Sequence, residues 1–257
     1  MDISQVAAQL YTVREYTQTP TALAAALTKI RRIGYRAVEL SALGPIAAGE
    51  LVKLLSDAGL TCCATHEDSA KLLAEPGAIA ERLQDLGCRY VAYPYPSGVK
   101  LETIANVRRL AARLNAAGKV LHEAGMVLAY HNHSLEFRRF NGQLMLEVLY
   151  DETDPRYLQA EIDTYWVQHG GGDAAGWCRR LRGRLPLLHL KDYTVTPENQ
   201  PTFAEVGAGN LNWKEIVAEA AEAGCKWYIV EQDVCPRDPF ESLRISFEYL
   251  RDNLKVL

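Results

Sequence analysis

The 257-residue chain contains no apolar run approaching the roughly 20 residues that a membrane-spanning helix needs, so no membrane partner is expected. It also lacks a basic stripe. Its 28 Lys and Arg against 32 Asp and Glu give a net charge of -4, which argues against nucleic acid as the main partner. Met1 to Leu10 lack a basic segment followed by an apolar stretch, so no signal peptide and a cytoplasmic location are expected. None of Cys62, Cys63, Cys88, Cys178, Cys225 and Cys235 forms a CxxC pair. That removes zinc-finger spacing and leaves reduced, mostly buried thiols as the expectation. No GxGxxG follows the first apolar run, and Gly170-Gly171-Gly172 is not followed by the Lys-Ser/Thr of a phosphate loop. Disorder does not fit a chain that is 48% hydrophobic and 23% charged.

What is present is an alternation. Short runs rich in Val, Ile, Leu, Ala and Tyr precede longer stretches with helical periodicity. Strands are expected at residues 6–10, 37–40, 61–65, 90–92, 127–131, 158–162, 187–190 and 228–231. Helices are expected at 20–33, 46–58, 77–86, 101–124, 144–150, 174–181, 213–223 and 239–253. Thr19-Pro20 reads as an N-cap followed by proline at the first helical position. Gly34, Gly59, Gly87, Gly125 and Gly224 each stop a helix just before the next strand. Eight βα units in about 250 residues is the size of an α/β fold of one kind, the single (β/α)8 TIM barrel. One catalytic domain over residues 1–257 is the simplest organisation, with a doubly wound open sheet as runner-up.

In such a barrel the site lies at the C-terminal ends of the strands. The unusual polar residues fall there. Val127-Leu-Ala-Tyr-His-Asn-His133 ends in two histidines spaced i, i+2, so both imidazoles share one side of a strand end. Asp163 closes the sixth run, His189, Lys191 and Asp192 the seventh, and Glu231 the eighth. His131, Asp163, His189 and Glu231 form the expected metal-ligand set, one from each of four consecutive strands. A mixed His/carboxylate set suits Mn²⁺, Zn²⁺, Co²⁺ or Fe²⁺ better than a purely hard oxygen cage, and Mg²⁺ stays among the candidates. His133 shares a face with His131 and is a candidate acid/base. Lys191, two residues from His189, is a candidate to hold an anion or stabilise an enolate. Glu39 and His66 are candidates to bind hydroxyls or move protons. Trp166, Tyr11 and Trp213 suit stacking on a sugar ring, although simple packing is the commoner use of an aromatic. His122 and His169 are assigned to no site.

At these residues the chain resembles the sugar phosphate isomerase/epimerase family, the xylose-isomerase-like barrels. The matching segments are Gln9-Leu-Tyr-Thr-Val-Arg14, Ala37-Val-Glu-Leu40, Tyr130-His-Asn-His-Ser-Leu-Glu-Phe137, Glu161-Ile-Asp-Thr-Tyr-Trp166, His189-Leu-Lys-Asp192, Phe203-Ala-Glu-Val-Gly-Ala-Gly209 and Glu231-Gln-Asp233. The resemblance covers nearly the whole chain in order. It implies a divalent metal held at the ends of strands five to eight, by glutamate, aspartate, histidine and glutamate in the sugar epimerases. Asp163, His189 and Glu231 match the last three. His131 stands where those epimerases have a glutamate, so one of the two glutamates that face each other across an epimerase substrate is missing.

The resemblance therefore implies a metal-dependent isomerase or epimerase acting on a sugar, sugar phosphate or keto-polyol through an enediolate, with Glu231, His133 or Lys191 moving the proton. The alternatives are a dehydratase or lyase on a keto-sugar or keto-cyclitol, and a non-catalytic sugar-binding barrel. Phosphodiester cleavage, as in the endonuclease-IV relatives, would need a richer metal cluster and a basic groove. The resemblance also implies that a homo-oligomer, dimer or tetramer, is common.

Overall fold

The computed structural model describes residues 1–254. The expected domain reached residue 257, and residues 255–257 lie outside the described residues. The strands in chain order are β1 (Val6–Gln9), β2 (Ala37–Leu40), β3 (Thr61–His66), β4 (Tyr90–Tyr93), β5 (Val127–His131), β6 (Arg139–Phe140), β7 (Gln143–Leu144), β8 (Gln159–Asp163), β9 (Leu187–Leu190), β10 (Asp192–Val195), β11 (Pro201–Ala204) and β12 (Trp227–Val230). The helices are α1 (Pro20–Ile33), α2 (Ala48–Ala58), α3 (Ser69–Ala74), α4 (Pro76–Asp85), α5 (Ile104–Glu123), α6 (Met145–Asp151), α7 (Thr164–His169), α8 (Ala174–Arg180), α9 (Trp213–Ala223) and α10 (Pro239–Asn253).

Eight strands close a parallel barrel in the order β1-β12-β9-β8-β5-β4-β3-β2. They are the eight expected runs, with ends shifted by a residue or so. The first run ends at Gln9 because Leu10–Tyr16 turns into 3₁₀ helix. The last ends at Val230, so Glu231 sits just past its strand. Two small antiparallel hairpins, β6–β7 and β10–β11, and the short helices α3 and α7 were not expected. They are too short to show a period in sequence.

Local chemistry explains the helix ends. The Thr19 hydroxyl accepts from the Ala22 N–H at the start of α1, satisfying one of the free amides there. Gly59 takes the left-handed conformation at φ 68°, and its N–H closes onto the last carbonyls of α2. Each long helix then buries one stripe against the strands, as Leu23, Ala26, Leu27 and Ile30 do in α1.

Inside the barrel a second, separate apolar cluster forms from Ala7, Ala37, Cys63, Ala64, Ala129, Leu187 and Ile229. Most of these have a polar residue two positions further on: Gln9, Glu39, His66, His131, His189 and Glu231. Strand side chains repeat with period two, so the polar set forms the layer above the apolar plug. The apolar layer closes the N-terminal end, and the polar layer faces the C-terminal mouth.

Candidate active site

Cross-strand hydrogen bonds fix the strand ends before any of them can do chemistry. Asn132 Oδ1 accepts from the Asp163 N–H at 3.0 Å, which ties the end of β5 to that of β8. The Thr164 hydroxyl accepts from the Lys191 N–H at 3.0 Å, which ties β8 to β9. Asp163 also caps α7, its Oδ1 accepting from the Trp166 N–H. The Glu136 carboxylate accepts from the Tyr130 hydroxyl at 2.7 Å and the His133 N–H at 2.8 Å, fixing the chain that leaves β5.

His131, Asp163, His189 and Glu231 are all buried, and one ligand atom from each lies within 4.8 Å of the others. Asp163 Oδ2 stands 3.9 Å from His131 Nε2 and 3.9 Å from His189 Nδ1. His189 Nδ1 is 2.9 Å from Glu231 Oε2. The Lys191 ammonium lies 2.9 Å from Asp163, 2.7 Å from Glu231 and 3.0 Å from Asp233. A second set shares two of these histidines: His66, His131, Glu161 and His189. There Glu161 Oε1 is 2.7 Å from His66 Nε2, 2.9 Å from His131 Nδ1 and 3.1 Å from His189 Nε2. The His131 contact is close but too poorly aligned to be a hydrogen bond.

The electrostatics follow from burial and neighbours. Burial and the adjacent His189 hold His131 down at about 3, so its ring is neutral and its lone pair is free to bind a cation. Burial, His131 and Lys191 likewise hold His133 down at about 2, which keeps it neutral across the working range. Burial opposes charge on His189, but Glu161, Glu39 and Glu231 outweigh it and push its pKa well above the usual value. The same balance raises His66, with Glu39 and Glu161 as the opposing charges. Burial, with Glu161 nearby, lifts Glu39 to about 7. Burial raises Asp163 to about 6 despite Lys191 and His189. Burial also opposes charge on Glu231, yet Lys191 and His189 hold it well below the carboxylate range. Asp233 is raised by burial and by Glu231.

Above this layer opens a cavity of about 490 Å³. His131, His133, His66, Lys191, Glu231, Tyr11 and Trp166 all line it. His133 Nδ1 and Trp166 Nε1 are buried without a hydrogen-bond partner beside the cavity that their side chains line. Tyr11 carries the Arg14 guanidinium over its ring at 4.2 Å.

Two expected residues lie elsewhere. Glu39 is fully buried beneath the cavity and does not line it; its Oε2 is held by the Gln9 amide at 2.7 Å and by His189 Nε2 at 2.7 Å. Trp213 is buried outside the cavity, its indole N–H donating to Asp192 at 2.6 Å. Packing won there because Asp192 sits below the mouth and gathers the loop that follows β9.

Sequence reasoning missed Glu161, Asp233, Gln9, Arg14 and Tyr95. Signals existed for two of them: Glu161 precedes Asp163 by two residues on one strand, and Asp233 follows Glu231 by two. Arg14 reaches the cavity from the 3₁₀ turn after β1 and Tyr95 from the loop after β4, where no period marks them. All six cysteines are free, four buried and two half-buried.

The profile of the xylose isomerase-like TIM barrels matches residues 27–253. The chain belongs to that family. A curated inosose dehydratase of Mesomycoplasma hyopneumoniae (strain 7448) is 28% identical over 162 residues, covering 55% of this chain. The match spans about half, 53%, of that relative's own length. The inosose dehydratase of Geobacillus kaustophilus is 24% identical over 263 residues, covering 87% of this chain and 85% of that protein. Among solved structures, a sugar phosphate isomerase/epimerase from Parabacteroides distasonis superposes with a TM-score of 0.83 at 23% identity, covering 99% of this chain and 96% of the other. At that identity it shows the shared fold. The xylose isomerase-like barrel is thus established by profile and by shape together.

Proposed function

We propose that this barrel is a divalent-metal-dependent enzyme that removes a proton next to the carbonyl of a sugar or keto-cyclitol, and that elimination of water follows. The observation that carries the reading is the convergence of His131, Asp163, His189 and Glu231 beside the cavity. The donor set fits a cation. Asp163 Oδ2 is buried without a well-formed hydrogen bond, the Lys191 ammonium lies 2.9 Å from it, two imidazole nitrogens face it at 3.9 Å and His131 is neutral; His189, charged among its carboxylates, would give up its Nδ1 proton to take the ion. A divalent ion held there would polarise a carbonyl and an adjacent hydroxyl and acidify the C–H between them.

The chain's own groups would do the rest. The cavity is large enough for a six-carbon ring, with Tyr11 and Trp166 as walls. His133 and Trp166, which line the cavity, would contact the substrate's hydroxyls and ring. The carboxylates of Glu231 and Asp233, bridged by the Lys191 ammonium, would take the proton. Lys191 stays charged among three carboxylates, which suits it to face negative charge developing on the substrate oxygen rather than to act as a base. His66, backed by Glu161 and Glu39 and lining the cavity, would give a proton to the departing hydroxyl.

Dehydration is favoured over epimerisation by His131. Its presence leaves Glu231 without a facing glutamate at the mouth, so a proton removed from one face has no matched carboxylate to return it from the other. The likeness to inosose dehydratases points the same way. The test is incubation with Mn²⁺ and a panel of keto-sugars and inososes in D₂O. Loss of water is expected, with deuterium in the product at the carbon that lost its hydroxyl, where the enol takes up a proton from solvent. Deuterium exchange with inversion and no loss of water would assign an epimerase instead. A substrate turned over with neither exchange nor elimination overturns the reading.

A further inference from the structure

We infer that Glu161 is the positioning residue of this site: a carboxylate beneath the cation, not a ligand to it, that turns His131 Nε2 and His189 Nδ1 upward. The inference rests on the proposed metal site and decides between its two overlapping ligand sets. Both sets use His131 and His189, but with opposite ring nitrogens. The upper set takes the nitrogens facing Asp163 and Glu231, and the lower takes those facing Glu161. The Glu161 carboxylate stands 2.9 Å from His131 Nδ1 and 3.1 Å from His189 Nε2, so its charge draws that side of each ring downward and leaves the other nitrogen presented to the ion.

Three observations favour the upper set. Glu161 is fully buried and does not line the cavity, whereas Glu231 lines it beside Lys191 and Asp233, so an ion in the upper set stands against the groups proposed to take the proton. A single oxygen, Glu161 Oε1, is hydrogen-bonded to His66 Nε2 at 2.7 Å and stands within 3.1 Å of a nitrogen of His131 and of His189, the place of a carboxylate that neutralises three rings from below. His189 Nε2 is also 2.7 Å from Glu39 Oε2, so that nitrogen is already taken by carboxylates on two sides. Glu161 thus sets the direction of two ligand rings on two different strands at once.

The experiment uses the full-length chain stripped by chelator and titrated with Co²⁺, following affinity by calorimetry and ligand geometry by the visible absorption of the bound ion. Glu161→Ala should weaken binding by roughly 10- to 100-fold and change the Co²⁺ spectrum. Glu161→Gln keeps one oxygen where Oε1 stands and should recover part of the affinity, which also covers the case that the alanine variant does not fold. Asp163→Asn should lose more affinity than either. Wild-type affinity and spectrum in both Glu161 variants would overturn the inference. So would loss of binding in them with Asp163→Asn and Glu231→Gln unaffected, because Glu161 would then be a ligand of the lower set. A wild-type chain that takes up no ion overturns the metal reading itself, a result no variant is needed to recognise.

Discussion

Glu136 shows how one side chain can hold a site in shape at a cost that depends on pH. Burial lifts its carboxyl from 4.5 to about 7, while the Tyr130 hydroxyl and His133 N–H pull the other way. The folded chain therefore binds this proton more tightly than the unfolded chain does. Its stabilising effect is complete below about 4.5 and is lost as pH rises through about 7. Glu136→Gln should remove that slope. Melting curves from pH 5 to 8 should fall less for the variant than for the wild type. Parallel curves would mean that the carboxyl is charged throughout. At this scale the sequence was half legible. Asp163 announced itself by ending an apolar run. Glu161 gave only its spacing of two from Asp163, which is easily passed over because a glutamate within a strand reads as one solvated face until the barrel is known to close around it.

Within elements, propensity and packing sometimes oppose each other. Gly118 lies in the middle of α5, where alanine would gain up to about 1 kcal/mol of helix propensity. A Cβ there would come 1.9 Å from the Tyr157 carbonyl oxygen, which is backbone and cannot swing away. Overpacking of this kind costs about 1–3 kcal/mol. Gly118→Ala should therefore destabilise the chain by about 1–2 kcal/mol in urea unfolding, and a stabilised variant would show that α5 shifts freely. The loop after β9 depends on Asp192. Its carboxylate accepts from the N–H groups of Tyr193, Gly207, Gly209 and Leu211 and from the Trp213 indole. Asp192→Ala strands the buried Trp213 indole and four part-exposed N–H groups and should cost roughly 1–3 kcal/mol. The β10–β11 hairpin should then become the first point of proteolytic cleavage. Periodicity could announce the long helices and the barrel strands. It could not announce this loop, whose shape comes from one carboxylate collecting donors up to 21 residues away.

For the whole molecule, closure depends on the chain's beginning. β1 pairs with β2 on one side and β12 on the other, so it is the stave that completes the ring. Removing residues 1–9 would leave two unpaired parallel edges and expose the apolar plug. Such a truncation should be recovered as aggregate; a soluble monomer with native melting behaviour would show that the other seven strands close without it. The repeated βα alternation made the closed barrel readable, since eight such units of this size have few other ways to bury both faces of their strands. The apolar layer of Ala7, Ala37, Ala129, Leu187 and Ile229 has a further consequence. It seals one end, so the barrel has a single door. On the proposed function, ion, substrate, product and water would all pass through the same opening and would have to queue. An ion held as proposed among His131, Asp163, His189 and Glu231 would have to arrive first and would be trapped by whatever entered after it. Occupancy of the cavity should therefore lengthen the ion's residence time. Chelator should strip the metal several-fold more slowly when a tight-binding substrate analogue is present, even though the analogue and the chelator never meet.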